Sequence, residues 1–324
     1  MAKKEIKRWV ETHSRNWKYH ADPVSWFGLM SFFGIWVGSP VIPVACLGSA
    51  LAKYSNKPLM GLVAYYSYSY FFPAKPSKFV LWVYGACLQR CYFKKQTVVV
   101  LGEEVKRDDK TMCCFHPHGA LSCGWTLANA SRSLGSLNTN MRWLVAPLLF
   151  KIPLINEVLR WNSVQSVVPS NFKRVMALGE NISIIPGGFH SAALFQRNKF
   201  RCFVMKRKGF IKYALQFGYK LRPCFSFGEE KTYYTMPYFE KLRMKLLANN
   251  NMPPVFFLGK YGVLPCDDFE LTCVVGEPIQ CPKIEKPTPA DVDKYHALYI
   301  AGLRKVFDDN KAEYASSDAE LYLE

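Results

Sequence analysis

Met112-Cys113-Cys114-Phe115-His116-Pro117-His118-Gly119 is the stretch on which the reading of this chain turns. Four apolar residues lead into two imidazoles, a glycine and the small-residue run Ala120 to Gly124, the pattern of a buried strand ending in a turn ahead of a helix. Pro117 fixes its own φ and biases His116 away from helical geometry, and Gly119 permits a tight turn or close approach of a substrate. His116 and His118 then share one side of an extended chain. Histidine is well suited to moving protons near neutral pH. One ring can take the proton from an alcohol while the other orients it or binds a carbonyl. A metal pair and a purely structural pair would show the same spacing, but no third ligand stands at a recognisable spacing for metal.

Outward from that strand, short apolar runs alternate with helical patterns. Strands are expected at Thr97–Leu101, Thr111–Phe115, Arg142–Ala146, Ser166–Pro169, Asn181–Ile185, Leu221–Phe227, Val255–Leu258 and Glu270–Val275. Several lack strict alternation, as in a sheet covered on both faces. Helices are expected at Leu121–Ser133, Asn171–Gly179 and Gly209–Gly218, and in a long C-terminal element. The last starts at a capping-box-like Thr288 and Asp291 with Pro289 at the first helical position, and Val292, Tyr295, Tyr299, Leu303, Val306 and Phe307 recur at helical spacing. The fold class is α/β, a sheet covered by helices over residues 75–314, with residues 315–324 expected as a flexible tail.

Residues 1–22 are polar and basic and do not form a cleavable signal peptide, because the apolar segment that follows is too long and has no clean cleavage site. No charged residue occurs from Pro23 to Ala52. As a helix that stretch is about 45 Å long, more than a bilayer core. Pro40 and Pro43 interrupt it, and a second charge-free stretch, rich in Tyr and Phe, runs from Pro58 to Ala74. Residues 23–74 therefore read as a membrane hairpin, or as a re-entrant segment followed by an interfacial one; a buried core helix pair is the alternative. Basic residues flank both sides, including Lys75, Lys78, Arg90, Lys94 and Lys95, which puts both ends in the cytosol.

The chain has 324 residues and a formal charge of +17. Such an excess suits nucleic acid, an anionic membrane or a polyanionic substrate such as a coenzyme A ester. The absence of a zinc finger, RNP-type aromatic motif or long basic arm argues against nucleic acid. The eleven cysteines are scattered without paired metal spacing and read as buried thiols in a reducing compartment. Sequons at Asn129 and Asn181 fall in the body of the domain and are expected to be unmodified. A soluble esterase is disfavoured by the lack of a GxSxG nucleophile elbow.

Three further clusters carry possible chemistry. Pro186-Gly187-Gly188 follows an apolar strand and exposes backbone N–H groups that can cradle an oxyanion or a phosphate, although most such sequences are merely turns. Arg197, Lys199, Arg201, Lys206, Arg207 and Lys208, ahead of Gly209-Phe210, can hold phosphates or form a solvated or membrane-facing basic surface. Glu229, after Phe227-Gly228, can orient a histidine, bind substrate or pair with a lysine.

The order HPHG, PGG, RKGF, FGE and VVGEPI, behind a hydrophobic segment and ahead of a C-terminal helix containing His296, resembles the type-2 diacylglycerol acyltransferase family, which includes monoacylglycerol and wax-alcohol acyltransferases. The match spans roughly residues 60 to 310. The resemblance implies a glycerolipid-acyltransferase-like domain at the endoplasmic-reticulum membrane, facing the cytosol, with lipid droplets as a second location. It implies acyl transfer from acyl-CoA to a neutral lipid hydroxyl, with acyl-CoA a substrate and no cofactor or metal. His116, Pro117, His118 and Gly119 match the catalytic motif, Pro186, Gly187 and Gly188 the second, and Arg207, Lys208, Gly209 and Phe210 the third, which Phe227, Gly228 and Glu229 close. Diacylglycerol and the lipid bilayer are the implied partners, and a homo-oligomer is compatible with this.

The family usually has a glutamate three residues after its PGG; here the residue is Ser191, beside His190. That departure leaves room for a weakened, neutral-lipid-binding member. No aspartate follows either histidine at five residues, so an acid partner must come from elsewhere, with Glu229 the first candidate. His118 is the expected base, ahead of His116, with N–H groups near Gly187 and Gly188 facing the oxyanion.

Overall fold

The computed structural model describes residues 7–15, 34–88, 92–235, 238, 240–250 and 257–324. Its strands are β1 (Arg8–Ser14), β2 (Lys95–Leu101), β3 (Thr111–His116), β4 (Arg142–Val145), β5 (Gln165–Ser166), β6 (Ile182–Ile184), β7 (Phe200–Cys202), β8 (Lys220–Phe227), β9 (Tyr234–Thr235), β10 (Phe257–Leu258), β11 (Glu270–Val275), β12 (Ile279–Gln280) and β13 (Leu321–Leu323). Its helices are α1 (Val41–Leu51), α2 (Lys57–Phe71), α3 (Lys78–Leu88), α4 (Cys123–Ala130), α5 (Ser136–Thr139), α6 (Ile155–Trp161), α7 (Pro169–Ala177), α8 (Gly188–Ala193), α9 (Gly209–Phe217), α10 (Glu240–Asn250) and α11 (Pro289–Tyr314).

The main sheet has the order β1-β2-β11-β8-β3-β6-β4-β5, with β12 also paired to β8. From β8 to β5 neighbouring strands are parallel, whereas β11 runs antiparallel to β8. β3 sits between β6 and β8, with Cys114 opposite Ile184 and His116 opposite Phe225. The turns after β3, β6 and β8 therefore leave the same end of the sheet, where ligands of parallel α/β sheets bind.

Both faces are covered, which explains the missing alternation in the sequence. Met112 and Cys114 of β3 join Val99, Phe225, Phe227 and Val274 in one buried cluster. Cys113 and Phe115 join Val98, Val100, Cys224 and Cys273 in the other. α11 closes the first cluster with Tyr299, Leu303, Val306 and Phe307. Its capping box forms as expected: Asp291 N–H donates to the Thr288 hydroxyl at 3.2 Å and Thr288 N–H donates to Asp291 Oδ2 at 2.9 Å. The expected run at Val255–Leu258 lies partly outside the described residues, and its remainder is β10. Asn181 is buried and fully bonded: Oδ1 accepts from Asp109 and Thr111 N–H, and Nδ2 donates to the Lys106 and Thr139 carbonyls. No free amide is left there for a glycan.

Two terminal segments differ from expectation. β1 pairs antiparallel with β2 as an edge strand, with Arg8, Val10, Thr12 and Ser14 exposed and Trp9, Glu11 and His13 half-buried, although no strand was expected so early. The tail expected to be flexible instead forms β13, parallel to β7. Leu321 and Leu323 pack on the first core cluster, and the Glu324 carboxylate binds Arg201 Nε at 2.7 Å. The Glu324 carbonyl accepts from Val204 and Met205 N–H, both at 2.8 Å.

Among the described residues one helix, Gly34–Leu51, is long and apolar enough to cross a membrane, with a mean hydropathy of 1.6 and little of it buried. The stretch 23–33 lies outside the described residues. α2 is docked on the domain by hydroxyl groups: Tyr65 Oη donates to Glu157, Ser69 Oγ donates to Glu157 Oε1 at 2.7 Å, and Tyr66 Oη donates to the Lys151 carbonyl at 2.9 Å.

Deleting Leu321–Glu324 strands the N–H groups of Val204 and Met205 and leaves Arg201 with Glu240 alone. At about 1–3 kcal/mol per stranded buried group, the purified truncation is expected to unfold several degrees below wild type in a thermal melt. An unchanged melt would show that β13 does not belong to the folded unit.

Candidate active site

β3 delivers His116 at its last position, and the turn beyond it carries Pro117, His118 and Gly119. His116 and Pro117 are buried, and His118 is partly exposed. His118 Nδ1 lies 3.0 Å from the Gly119 carbonyl and 3.2 Å from Ser122 Oγ. A carbonyl only accepts, so Nδ1 carries the ring proton and Nε2 keeps its lone pair. That is the tautomer a general base needs. Burial lowers the His118 pKa below its ordinary value, and the Gly119 contact works against that. His116 differs: Nε2 lies 2.8 Å from Tyr299 Oη, and burial pushes its pKa down to about 3.

Glu229 does not pair with either ring. Its fully buried carboxylate accepts from Cys123 N–H at 3.2 Å and from Gly124 N–H at 2.6 Å, in the first turn of α4. It also lies directly under the turn: a Cβ on Gly119 would come within 1.9 Å of Glu229 Oε1, and Gly119 has φ +66°. The acid sought from sequence thus acts on the backbone that carries His118, while the Gly119 carbonyl and Ser122 orient the ring. Burial pushes the Glu229 carboxyl up to about 8, against the lowering effect of the Gly124 and Cys123 N–H groups.

Pro186 and Gly187 form the turn between β6 and α8, beside the end of β3. Gly187 is required because a Cβ would meet Ser191 Oγ at 1.9 Å. The N–H of Gly188 donates to the Ile185 carbonyl at 2.9 Å, so it is used within the turn and does not face an oxyanion. Ser191 is buried and its hydroxyl accepts from Phe203 N–H at 3.1 Å; it bonds a loop, not a histidine.

The loop from Phe203 to Lys208 carries the basic cluster. Arg207 donates to His190 Nδ1 at 2.6 Å, and its Nε is buried without a partner among the described residues. The His190 ring stacks on Phe203 at 4.9 Å. Lys206 is exposed, and Lys208 pairs with Asp293 at 2.6 Å. Gly209 is exposed at the start of α9, whereas Phe210 is buried against Tyr299 at 5.0 Å. His296 donates or accepts at the Val204 carbonyl, 3.1 Å away; since a carbonyl only accepts, Nε2 donates. The four motifs are thus joined through Glu229, Tyr299, Ser191 and Arg207. Tyr299 and Ser122 were not singled out in the sequence, where Tyr299 read as one more core position of α11.

A sequence model described as diacylglycerol acyltransferase matches residues 56–324. The chain belongs to this family. It is 29% identical over 257 residues to diacylglycerol O-acyltransferase 2 of Dictyostelium discoideum, covering 74% of this chain and 76% of that one. It is 30% identical over 273 residues to human acyl-CoA wax alcohol acyltransferase 1, covering 76% and 81%. Among solved structures, the 1-acyl-sn-glycerophosphate acyltransferase PlsC of Thermotoga maritima aligns with a TM-score of 0.46 at 14% identity, over 72% of this chain and 80% of that one. The chain is an acyltransferase with a mixed α/β fold.

Gly119→Ala is expected to lower acyltransferase turnover by about 100-fold or more, because the turn must shift off Glu229; wild-type turnover in that variant would refute the close approach. A carboxyl whose pKa is raised on folding favours the fold at low pH, and that contribution is lost as pH rises through about 8. Glu229→Gln should therefore flatten the fall in melting temperature between about pH 4.5 and about pH 8; an identical slope in both proteins would contradict this.

Proposed function

We propose that this acyltransferase joins a fatty acyl chain from acyl-CoA to the free hydroxyl of diacylglycerol, making triacylglycerol. The observation that carries the reading is the bonding of His118. With Nδ1–H held by the Gly119 carbonyl, Nε2 is a lone-pair acceptor on a partly exposed ring. In the reaction the acceptor oxygen bonds to the thioester carbonyl carbon as its proton passes to His118 Nε2. The tetrahedral centre collapses, the carbon–sulfur bond breaks, and the departing thiolate takes the proton from His118. A thioester is already activated, so positioning and base catalysis supply what the step needs.

Acyl-CoA arrives from the cytosol with its phosphates near Lys206, Arg207 and Lys208. Arg207 suits that role because, among the described residues, the side chain it bonds is the neutral ring of His190. Lys208 must leave Asp293 to contribute. Diacylglycerol enters laterally from the bilayer beside residues 23–74. The enzyme then works at the endoplasmic-reticulum membrane with its catalytic domain on the cytosolic side, and product collects in lipid droplets; the apolar helix Gly34–Leu51 supports the membrane placement. A long-chain alcohol is the second acceptor to consider, because of the 30% identity to human acyl-CoA wax alcohol acyltransferase 1. Acceptor competition in microsomes, with diacylglycerol, monoacylglycerol and hexadecanol, separates them.

Expression in cells unable to make triacylglycerol tests the reading directly. Wild type is expected to restore triacylglycerol, and His118→Ala to lose about 100- to 10,000-fold of turnover while remaining in the membrane. Near-wild-type turnover in His118→Ala would sink the assignment of the base. Because burial lowers the His118 pKa, the ring stays neutral to lower pH than a free histidine does. The acid limb of kcat/KM should have its midpoint below 6.5, and a midpoint above that value would count against His118.

A further inference from the structure

His116 and His118 stand two residues apart in unlike surroundings. His116 is wholly buried, and its Nδ1 has no hydrogen-bond partner among the described residues. A buried ring nitrogen left unbonded is costly, and at an active site a substrate atom is the natural partner to complete it. Which way that nitrogen can bond depends on Nε2, and Nε2 is held by Tyr299.

Tyr299 lies on α11, fully buried, with its ring packed edge-on against Phe210 at 5.0 Å. Its hydroxyl has one hydrogen, and within its reach lie His116 Nε2 at 2.8 Å, the Cys114 carbonyl at 3.4 Å and the Cys114 thiol. The shorter contact has ordinary hydrogen-bond length, whereas the longer lies at the edge of the range. With Nε2 accepting, the ring proton must reside on Nδ1. We propose that Tyr299 is a positioning residue that fixes His116 in its Nδ1–H form, so that His116 donates to the thioester carbonyl oxygen of the acyl donor. The inference rests on the acyl-transfer reading above and divides the two histidines between two tasks.

The balance is simple. The acceptor proton goes to His118 Nε2, and the electron pair of the carbonyl moves onto oxygen. His116 Nδ1–H holds that oxygen without giving up its proton, and the charge returns when the carbon–sulfur bond breaks. A neutral imidazole suits this task, and burial keeps His116 neutral, so it does not compete with His118 for the proton. The Gly188 N–H is already bonded to the Ile185 carbonyl and does not serve as that donor.

The test is Tyr299→Phe, with His116→Asn, His116→Gln and His116→Ala, assayed in membranes with acyl-CoA and diacylglycerol both varied. Phe keeps the ring against Phe210 and removes only the hydroxyl. The expected result is a fall in kcat of about 10-fold or more, towards the about 100-fold typical of losing one oxyanion donor. KM for both substrates should change little, and the acid limb set by His118 should stay in place. An asparagine amide nitrogen overlays Nδ1, whereas a glutamine amide overlays Nε2. His116→Asn should therefore retain more turnover than either His116→Gln or His116→Ala. Wild-type kcat in Tyr299→Phe overturns the proposal, as does a His116→Asn variant no better than alanine. If Tyr299→Phe fails to accumulate, the asparagine, glutamine and alanine comparison decides alone. A wild-type protein without acyl transfer in the same membranes removes the underlying reading, a result distinct from active wild type with an indifferent Tyr299→Phe.

Discussion

A buried carboxyl group organises this end of the molecule. Burial keeps Glu229 protonated to about pH 8, and its oxygens accept from the N–H groups of Cys123 and Gly124, which a helix start leaves unpaired. The contact works only because three elements close on one another. β8 brings Glu229 to the sheet end, α4 starts at the right place, and Gly119 lets the turn after β3 settle onto the carboxyl. Gly124 is held as tightly from the other side, since a Cβ there would strike Ser226 Oγ at 2.4 Å. The position of His118 follows from these contacts, not from any direct bond between an acid and the imidazole.

The hydrophobic helices meet the domain under a different rule. α1 leaves Val41, Val44, Leu47 and Leu51 exposed, and α2 does the same with Met60, Val63, Tyr68 and Phe71. Apolar surface of that extent is costly in water and suits lipid. Yet α2 is fastened by polar groups: Tyr65 and Ser69 converge on Glu157, while Asn156 Nδ2 donates to Ser69 Oγ at 2.9 Å. Hydrogen bonds are directional, so this seam fixes the rotation of α2 where apolar contact alone would let it slide. The exposed aromatic face is thereby held in one orientation relative to the catalytic sheet.

Much of the fold was legible because its strands are short, apolar and bounded by glycine and proline, and because α11 has both a capping box and a helical apolar repeat. Arg142–Val145, Lys220–Phe227 and Glu270–Val275 lie within a residue of the expected spans. β1 was not legible: Arg8, Val10, Thr12 and Ser14 face solvent from an edge strand, and so polar a segment shares its composition with a tail. β13 failed for a related reason, since its pairing with β7 and the Arg201 contact depend on partners over a hundred residues away. In the site, the motif residues were visible and their roles only partly so. Glu229 was found but its target was not, because a carboxylate bonded to backbone N–H groups leaves no trace in residue types. Tyr299 was hidden by its own periodicity: a tyrosine on the apolar stripe of a helix reads as packing, and only the position of its hydroxyl shows otherwise.

Ser191, where the family usually has glutamate, bears on a different part of the machine from the one first suspected. Its hydroxyl bonds the N–H of Phe203 in a space so narrow that Gly187 cannot carry a side chain. Phe203 in turn stacks on His190 and lies under Arg207, whose guanidinium is 5.2 Å from the ring. The residue therefore supports the loop that presents the basic cluster. It has no bond to His116 or His118, whose protons are placed by Tyr299 and by the Gly119 carbonyl. Arg207 itself bonds the imidazole of His190, the residue next to Ser191 in sequence. The substitution thus touches the loop that carries Arg207 and leaves the hydrogen bonds of His116 and His118 untouched.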